Sequence, residues 1–286
     1  MITIFTPTFN RAYILPILYR SLEEQTCKDF EWLIVDDGST DDTESLIQDF
    51  KTECSFPIKY FKKNNEGKHI AINYGLQEAT GSLFFIVDSD DHLSENAIEV
   101  LLSKYRTIQH NKDIAGVAIG YRSIKKNGEI IYSKPLREHE MLLTHNDLVY
   151  KEGITGDFAT AFKTNIQKQF PYPRFEGEKF FRESYVYRQI GKKYKTLYID
   201  DPIYFADYLE DGLTAKSWQM LKKSPQGASL FFKELSKEDI PLKNKLSALN
   251  AYWDFQLNDI RSSWIQKFRG VSFFLSLIVL FKRFFK

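Results

Sequence analysis

Cysteine is scarce in this 286-residue chain: Cys27 and Cys54 are the only two, with neither metal-ligand spacing nor the even set a disulfide framework needs. A reducing cytoplasm is the expected compartment, and the opening MITIFTPTFNR, which has no charged stretch leading into an apolar signal core, agrees with it. An excess of one charge is missing too. With 39 Lys and Arg against 38 Asp and Glu the net charge is +1, so there is no global basic footprint for nucleic acid. No apolar run approaches the roughly 20 residues that a membrane-spanning helix requires. No internal repeat, low-complexity linker or Gly-rich basic phosphate loop near the N-terminus is present.

What remains is an ordinary globular balance, 43% hydrophobic and 27% charged, enough for one large or two unequal domains. Short apolar runs at 2–5, 32–35, 58–61 and 83–87 alternate with helical patterns at 13–22, 43–50, 69–79 and 97–105. That rhythm predicts an α/β fold with a mainly parallel sheet flanked by helices. Asp41 followed by Glu44 reads as a capping box, and Ser94 precedes the periodic Ile98, Leu101, Leu102 and Tyr105. Ala71, Gly75 and Ala79 recur every four residues, which predicts one closely packed helix face.

Beyond 114–120 the rhythm changes. Asn127-Gly128 sits between strand-like arms and predicts a hairpin. A helical pattern at 179–190 and strand-like runs at 196–199 and 203–206 follow, and after 213 the chain reads as helices interrupted at 224–227. The expected organisation is a nucleotide-binding half (1–120), a mixed half able to complete a cleft (121–212) and a helical C-terminal region (213–286).

In an open parallel sheet, ligands bind beyond the carboxyl ends of the strands. Three such ends carry polar residues: TPTFNR at 6–11, DDGSTD at 36–41 and DSDD at 88–91. Turn and cap chemistry alone could account for Asp36 and Asp37. Asp88, Asp90 and Asp91 are harder to explain without a ligand, because clustered carboxylates repel one another unless a cation or donors offset the charge. Mg²⁺ or Mn²⁺ takes one or two protein carboxylates and fills its other positions with water and substrate phosphates, which suits an Asp-x-Asp at a strand end.

The order TPTFNR, VDDGSTDDT, NNEGKHIAINYGL, FIVDSDD over residues 2–93 resembles the family 2 glycosyltransferases with the GT-A fold. The resemblance implies an enzyme of hexosyltransferase type that uses a nucleotide diphosphate sugar, UDP-linked where the carboxylate contacts uracil. It implies that Thr6, Pro7, Thr8, Asn10 and Arg11 form the first nucleotide-contacting loop, and that Asp36, with Asp37 beside it, accepts from the base. Asn65, Gly67 and Lys68 match the third donor loop, with Asn73 following on the helix. Asp90 matches the main metal ligand, while Asp88 contacts ribose or shares the metal; spacing alone leaves Asp91 able to exchange roles with either.

Inverting members activate the acceptor hydroxyl with a carboxylate, usually in a Glu-Asp pair heading a helix. The stretch 175–185 (FEGEKFFRESY) offers Glu183 first and Glu178 second, but Ser184 stands where the family often has aspartate. An acidic helix N-terminus would explain either Glu without catalysis. Gly156-Asp157 and the loop 208–214 are weaker candidates for the acceptor cleft and the phosphate side. The acceptor implied is a glycan or lipid-linked saccharide.

Two readings stay open for 271–281 (VSFFLSLIVLF) and its basic flanks: a last core helix, or an amphipathic contact of 264–286 with the cytoplasmic face of a membrane. Two other functions remain as alternatives. A nucleotidyltransferase also uses acidic strand ends and Mg²⁺, and a non-catalytic glycan-binding protein on the same fold would accommodate Ser184.

Overall fold

A computed structural model describes every residue except 125–129, 133–134, 155–157, 208–212, 261 and 285–286. In chain order the elements begin with β1 (Ile2–Thr8), α1 (Leu15–Glu23), β2 (Phe30–Asp36), α2 (Thr43–Glu53), β3 (Ile58–Lys62), α3 (Lys68–Glu78), β4 (Leu83–Ile86), β5 (Asp91–Leu93) and α4 (Ala97–Ile108). Next come β6 (Ile114–Ile124), β7 (Ile130–Tyr132), β8 (Glu140–Leu143), β9 (Phe158–Lys163), α5 (Thr164–Gln167), α6 (Ser184–Gly191) and β10 (Lys195–Asp207). The last are α7 (Leu213–Lys223), α8 (Pro225–Lys237), α9 (Leu242–Asn258), α10 (Trp264–Phe268) and α11 (Phe273–Phe284).

The chain packs as two compact units, one of Met1–Tyr172 with Val186–Gly212 and one of Pro173–Tyr185 with Leu213–Lys286. The first holds a sheet in the order β3-β2-β1-β4-β9-β6-β10-β5, with β7 on β6 and β8 on β10. Strands β3, β2, β1 and β4 run parallel, as the strand–helix alternation predicts, while β9 enters antiparallel between β4 and β6. The register sets Thr8 opposite Asp36 and Phe5 opposite Ile86, so the ends of β1, β2 and β4 open on one edge. β1 and β2 are buried along their whole length, as expected of strands covered by helices on both faces.

Buried Ile, Leu and aromatic side chains of β1, β2, β4, α1 and α4 form one continuous core. Helix α3 lies very close to the sheet at the predicted small-residue face: a Cβ on Gly75 would sit 2.1 Å from Cε2 of Phe5. Ala71 and Ala79 on that face are buried too.

Several local expectations need correction. Asp41 does not form a capping box with Glu44; its carboxylate accepts from the Thr43 hydroxyl (2.6 Å) and from the Ala12 N–H (3.1 Å), while Glu44 pairs with Lys62 at 3.0 Å. Ser94 likewise donates to Asn96, which is the N-cap of α4. The predicted helix at 179–190 begins only at Ser184, because the residues ahead of it are engaged elsewhere in the second unit: Phe180 N–H donates to Ser224 Oγ at 3.3 Å. The predicted strands at 196–199 and 203–206 are one strand, β10, with a register irregularity between Ile199 and Tyr204. The arms of the predicted hairpin pair antiparallel, Ile124 with Ile130, although Asn127-Gly128 itself lies outside the described residues, as do Gly156-Asp157 and 208–212.

In the second unit, α8 and α11 pack on α9, where Leu249 and Trp253 are fully buried. The stretch Pro173–Tyr185 belongs to this helical unit.

Candidate active site

The loops that leave β1, β2 and β3 are tied to one another by hydrogen bonds among the residues the sequence singles out. Asn10 has a left-handed backbone (φ 53), a conformation that costs a non-glycine residue energy and is tolerated where surroundings fix it. What fixes it is the second loop: Asn10 N–H donates to Ser39 Oγ (2.8 Å), and its Oδ1 accepts the Thr40 N–H at 2.8 Å.

Asp36, at the end of β2, is fully buried; its two oxygens accept from the Ser39 N–H (2.7 Å) and the Tyr60 hydroxyl (2.8 Å). Burial, then the bond to Asp36, raises the Tyr60 phenol far above its ordinary value, so the phenol keeps its proton. Asp37 reaches the third loop instead. Its carboxylate accepts the N–H groups of Glu66 (2.9 Å) and Gly67 (2.7 Å) and pairs with Lys63 at 2.7 Å. Gly67, with φ 96, makes the turn into α3 that only glycine enters freely. At Gly38 (φ +88) the second and third loops touch, since a Cβ there would lie 3.0 Å from the Asn65 backbone nitrogen.

From the first residue of α3, Lys68 sends its ammonium 2.7 Å from Asp88 Oδ2. Asp88, Asp90 and Asp91 follow β4, and each offers an oxygen within 4.8 Å of the others'. Burial first, then the charge of Asp88, pushes the Asp90 and Asp91 carboxyls upward, Asp91 well above the ordinary carboxylate range. Arg11 and Lys68 oppose that shift at Asp90, so the first and third loops bring positive charge to the cluster. Asp88 Oδ1 is buried and has no hydrogen-bond partner among the described residues, and the same holds for Thr8 Oγ1 at the end of β1. A buried carboxylate oxygen left without a donor is costly unless a ligand completes it. Three clustered carboxylates, all hard oxygen donors, therefore fit a divalent Mg²⁺ or Mn²⁺ ion.

Sequence reasoning missed Tyr204 of β10, which is buried behind the cluster. Its hydroxyl hydrogen-bonds to Asp91 and accepts the Asp88 N–H at 3.3 Å. No sequence signal marks it, because it arrives through the β10–β5 pairing far along the chain. Lys63 and Tyr60 were missed as well, though Tyr60 lies in a predicted strand and Lys63 two residues beyond it.

Four expected site residues are used differently. Thr6 is fully buried within β1 and its hydroxyl accepts the Trp32 indole N–H at 2.9 Å; Pro7 is buried beside it in the strand. Asn73 turns its amide to the backbone of Tyr172, donating to its carbonyl (2.8 Å) and accepting its N–H (2.9 Å), which clamps α3 to the end of the first unit. Glu178, in the second unit, accepts the N–H groups of Gln226 (2.7 Å) and Gly227 (2.8 Å) at the start of α8. Those N–H groups have no partner within the helix, so Glu178 supplies a cap and favourable charge at the positive helix end. Glu183, also in the second unit, occupies the turn immediately before α6.

Comparison with known proteins is consistent with this geometry. The model of a family described as glycosyl transferase family 2 matches residues 3–170. A curated relative, the GalNAc(5)-diNAcBac-PP-undecaprenol beta-1,3-glucosyltransferase of Campylobacter jejuni, is 29% identical over 202 residues, covering 69% of this chain and 62% of that protein. The chain thus spans about three fifths or less of the curated relatives it first matches. Among solved structures, residues 1–349 of S. aureus TarS with UDP-GlcNAc align with a TM-score of 0.60 at 20% identity, covering 89% of this chain and 71% of that one. The mannosyltransferase PcManGT from Pyrobaculum calidifontis with GDP-Man and Mn²⁺ gives 0.56 at 18%, covering 99% and 79%. At such identities the likeness is one of fold, and that fold is GT-A.

Proposed function

The chain belongs to glycosyltransferase family 2, and from that membership we propose that it transfers a sugar, with inversion, from a UDP-linked donor to a hydroxyl of a lipid-linked saccharide or other glycan. That it is a glycosyltransferase follows from the family; donor, metal, acceptor and stereochemistry are the proposal.

The observation that carries the metal dependence is the buried, unpartnered Asp88 Oδ1 beside Asp90 and Asp91. Asp90 and Asp88 would hold Mn²⁺ or Mg²⁺, with Asp91 adjoining. When bound, such an ion supplies Lewis-acid stabilisation of the charge that builds on a departing diphosphate. The chain's own part is to bring Lys68 and Arg11 to the same carboxylates, so that cationic side chains meet the donor's phosphates where the strand ends open. Asp36 and Asp37 hold the loops that frame the nucleoside side. A UDP donor is supported by the TarS likeness, whose complex is with UDP-GlcNAc, and a lipid-linked acceptor by the printed name of the Campylobacter relative.

For the chemical step, the acceptor oxygen bonds to the anomeric carbon as the bond to the diphosphate oxygen breaks, its electron pair leaving with the nucleoside diphosphate. The hydroxyl proton goes to a carboxylate, for which Glu183 is proposed: it directly precedes α6, and the resemblance implies a base in a carboxylate heading a helix, while Glu178 accepts two N–H groups of α8. The test is a thermal-shift and turnover screen of nucleotide sugars with and without Mn²⁺. UDP-sugars should stabilise the protein only with the metal, and the product should have inverted anomeric configuration by NMR. Retained configuration, or turnover indifferent to chelation, overturns the proposal.

A further inference from the structure

Residues 264–286 contain five Lys and Arg and not one Asp or Glu, in a chain whose net charge is only +1. Residues 264–284 contain α10 and α11, and one side of this pair is packed within the second unit. Ser276, Val279 and Leu280 are buried, Phe268 lies 4.9 Å from Trp253 between ring centres, and Arg283 bridges to Asp254 at 2.7 Å. The opposite side is open to solvent and strongly apolar. Ile265 is 86% exposed and Phe274 77%, and Trp264, Phe273, Leu277 and Ile278 are exposed with them.

The exposed α11 positions recur at three- and four-residue intervals and so form one stripe. A contiguous apolar surface of this kind is costly in water and marks something that covers it. Two open grooves cross it. One is lined by Trp264, Ile265, Phe268 and Phe273 and bordered by Arg269; the other, about 710 Å³, runs past Leu277 and Ile278 and is bordered by Lys282. One cationic side chain therefore belongs to each apolar groove.

We infer that this face docks onto the surface of an anionic lipid bilayer, its apolar stripe entering the headgroup–acyl boundary and Arg269 and Lys282 meeting lipid phosphates. No helix among the described residues is long and apolar enough to cross a membrane. α11, at 12 residues, is only about 18 Å long against a hydrocarbon core of about 30 Å. It suits a helix lying in the interface, the arrangement short apolar faces with basic flanks adopt. A second copy of this chain fits less well, because a twofold contact uses the same patch on both subunits and residues 264–286 hold no Asp or Glu to meet Arg269 and Lys282. Docking of this kind is independent of donor and metal, so it stands or falls apart from the proposed reaction.

The experiment is co-sedimentation of the full chain with vesicles of phosphatidylcholine alone or with one third phosphatidylglycerol. Binding to the anionic vesicles that weakens with salt is expected, with little binding to the neutral ones. Ile265→Glu combined with Phe274→Glu should abolish it, and Arg269→Ser with Lys282→Ser should weaken it by roughly thirtyfold, since each basic residue near such a surface contributes about one kcal/mol. Circular dichroism and thermal unfolding should be unchanged, because all four side chains are exposed. Equal binding by wild type and both variants, or no binding to anionic vesicles, sinks the inference. So does an apolar variant that converts a dimer to a monomer when the wild type ignores lipid, which would identify a second copy as the occupant.

Discussion

Tyr204 holds Asp91 from behind: the two meet by a hydrogen bond between phenol and carboxylate, and the same phenol oxygen accepts the Asp88 N–H at 3.3 Å. One buried residue of β10 thus touches both ends of the acidic loop that follows β4. The loop is a short, charged segment whose own sequence offers nothing apolar to anchor it between Asp88 and Asp91. Its shape is set from outside, by Tyr204 on one side and by Lys68 on the other.

Removing only the hydroxyl, in Tyr204→Phe, should therefore loosen the carboxylates while keeping the ring packed against Phe85. Groups that orient metal ligands typically matter by about ten- to a hundredfold in metal affinity or activity. The concentration of Mn²⁺ needed for half-maximal turnover should rise by about that much, with unfolding affected by no more than about 1–3 kcal/mol. A variant with unchanged metal dependence would show that Tyr204 serves the core alone.

Asp90→Asn and Asp88→Asn keep size and remove charge. Each should lower turnover by roughly a hundredfold or more, because stabilisation of the leaving diphosphate is lost where charge develops. Asp90→Asn should also abolish the metal-dependent thermal shift produced by a UDP-sugar. Because burial, and then the charge of Asp88, raises the Asp90 and Asp91 carboxyls, neutralising one of them should leave the protein as stable as wild type or more so in the absence of metal. Destabilisation of the metal-free protein by Asp90→Asn would mean that neither burial nor the neighbouring charge disfavours the ionised carboxylate.

Much of this site is legible in the sequence because it is local. The strand–helix rhythm places TPTFNR, DDGSTD and DSDD at three adjacent strand ends, and parallel pairing then brings them together without further information. Ala71, Gly75 and Ala79 announce a close helix face for the same reason, and Gly75→Ala would drive a methyl into Phe5. What escapes is the work done across long sequence separations. Asp41 looks like half of a capping box with Glu44, yet its carboxylate is shared between Thr43 and Ala12 while Glu44 goes to Lys62; Asn73 looks like a donor contact, yet Tyr172 claims it; 179–183 has helical periodicity, yet Phe180 bonds to Ser224 and the preceding Glu178 to α8. In each case a backbone N–H or C=O from elsewhere needed a partner, and a short-range pattern carries no sign of that demand. Tyr204 is the extreme example.

Glu178 and Glu183 can be separated by comparing stability with turnover. Glu178→Ala should destabilise the second unit by about 1–2 kcal/mol through loss of the α8 cap. Glu178→Gln, which keeps one acceptor oxygen, should cost less and leave kcat within a few-fold of wild type. Glu183→Gln should do the reverse, reducing kcat by about 10²- to 10⁴-fold as loss of a general base does, with little change in unfolding. Full turnover in Glu183→Gln would move the base elsewhere in the chain.

A last prediction concerns Glu31, which is buried on β2 at the end of the sheet away from the acidic loop. Its Oε1 accepts from the Thr3 hydroxyl (2.6 Å) and the Thr80 N–H (2.9 Å), and Oε2 pairs with Lys59 at 2.8 Å. Burial alone would push this carboxyl upward, but the bonds from Lys59, Thr3 and Thr80 outweigh it and hold the carboxyl below its ordinary value of 4.5. A carboxylate depressed on folding stabilises the native state fully above its unfolded value, and the contribution disappears as pH falls through the lower, folded value. Wild-type stability should thus decline below about pH 4.5 with a component that Glu31→Gln lacks. At neutral pH the variant should be less stable by about 1–3 kcal/mol, since Lys59 loses its ion pair and one buried donor loses its charged acceptor. The difference between the two proteins should narrow steadily on acidification, measured as urea midpoints from neutral pH down to pH 3. A gap that stays constant across that range would mean that Glu31 contributes by shape and hydrogen bonding, and that its charge adds nothing to the fold.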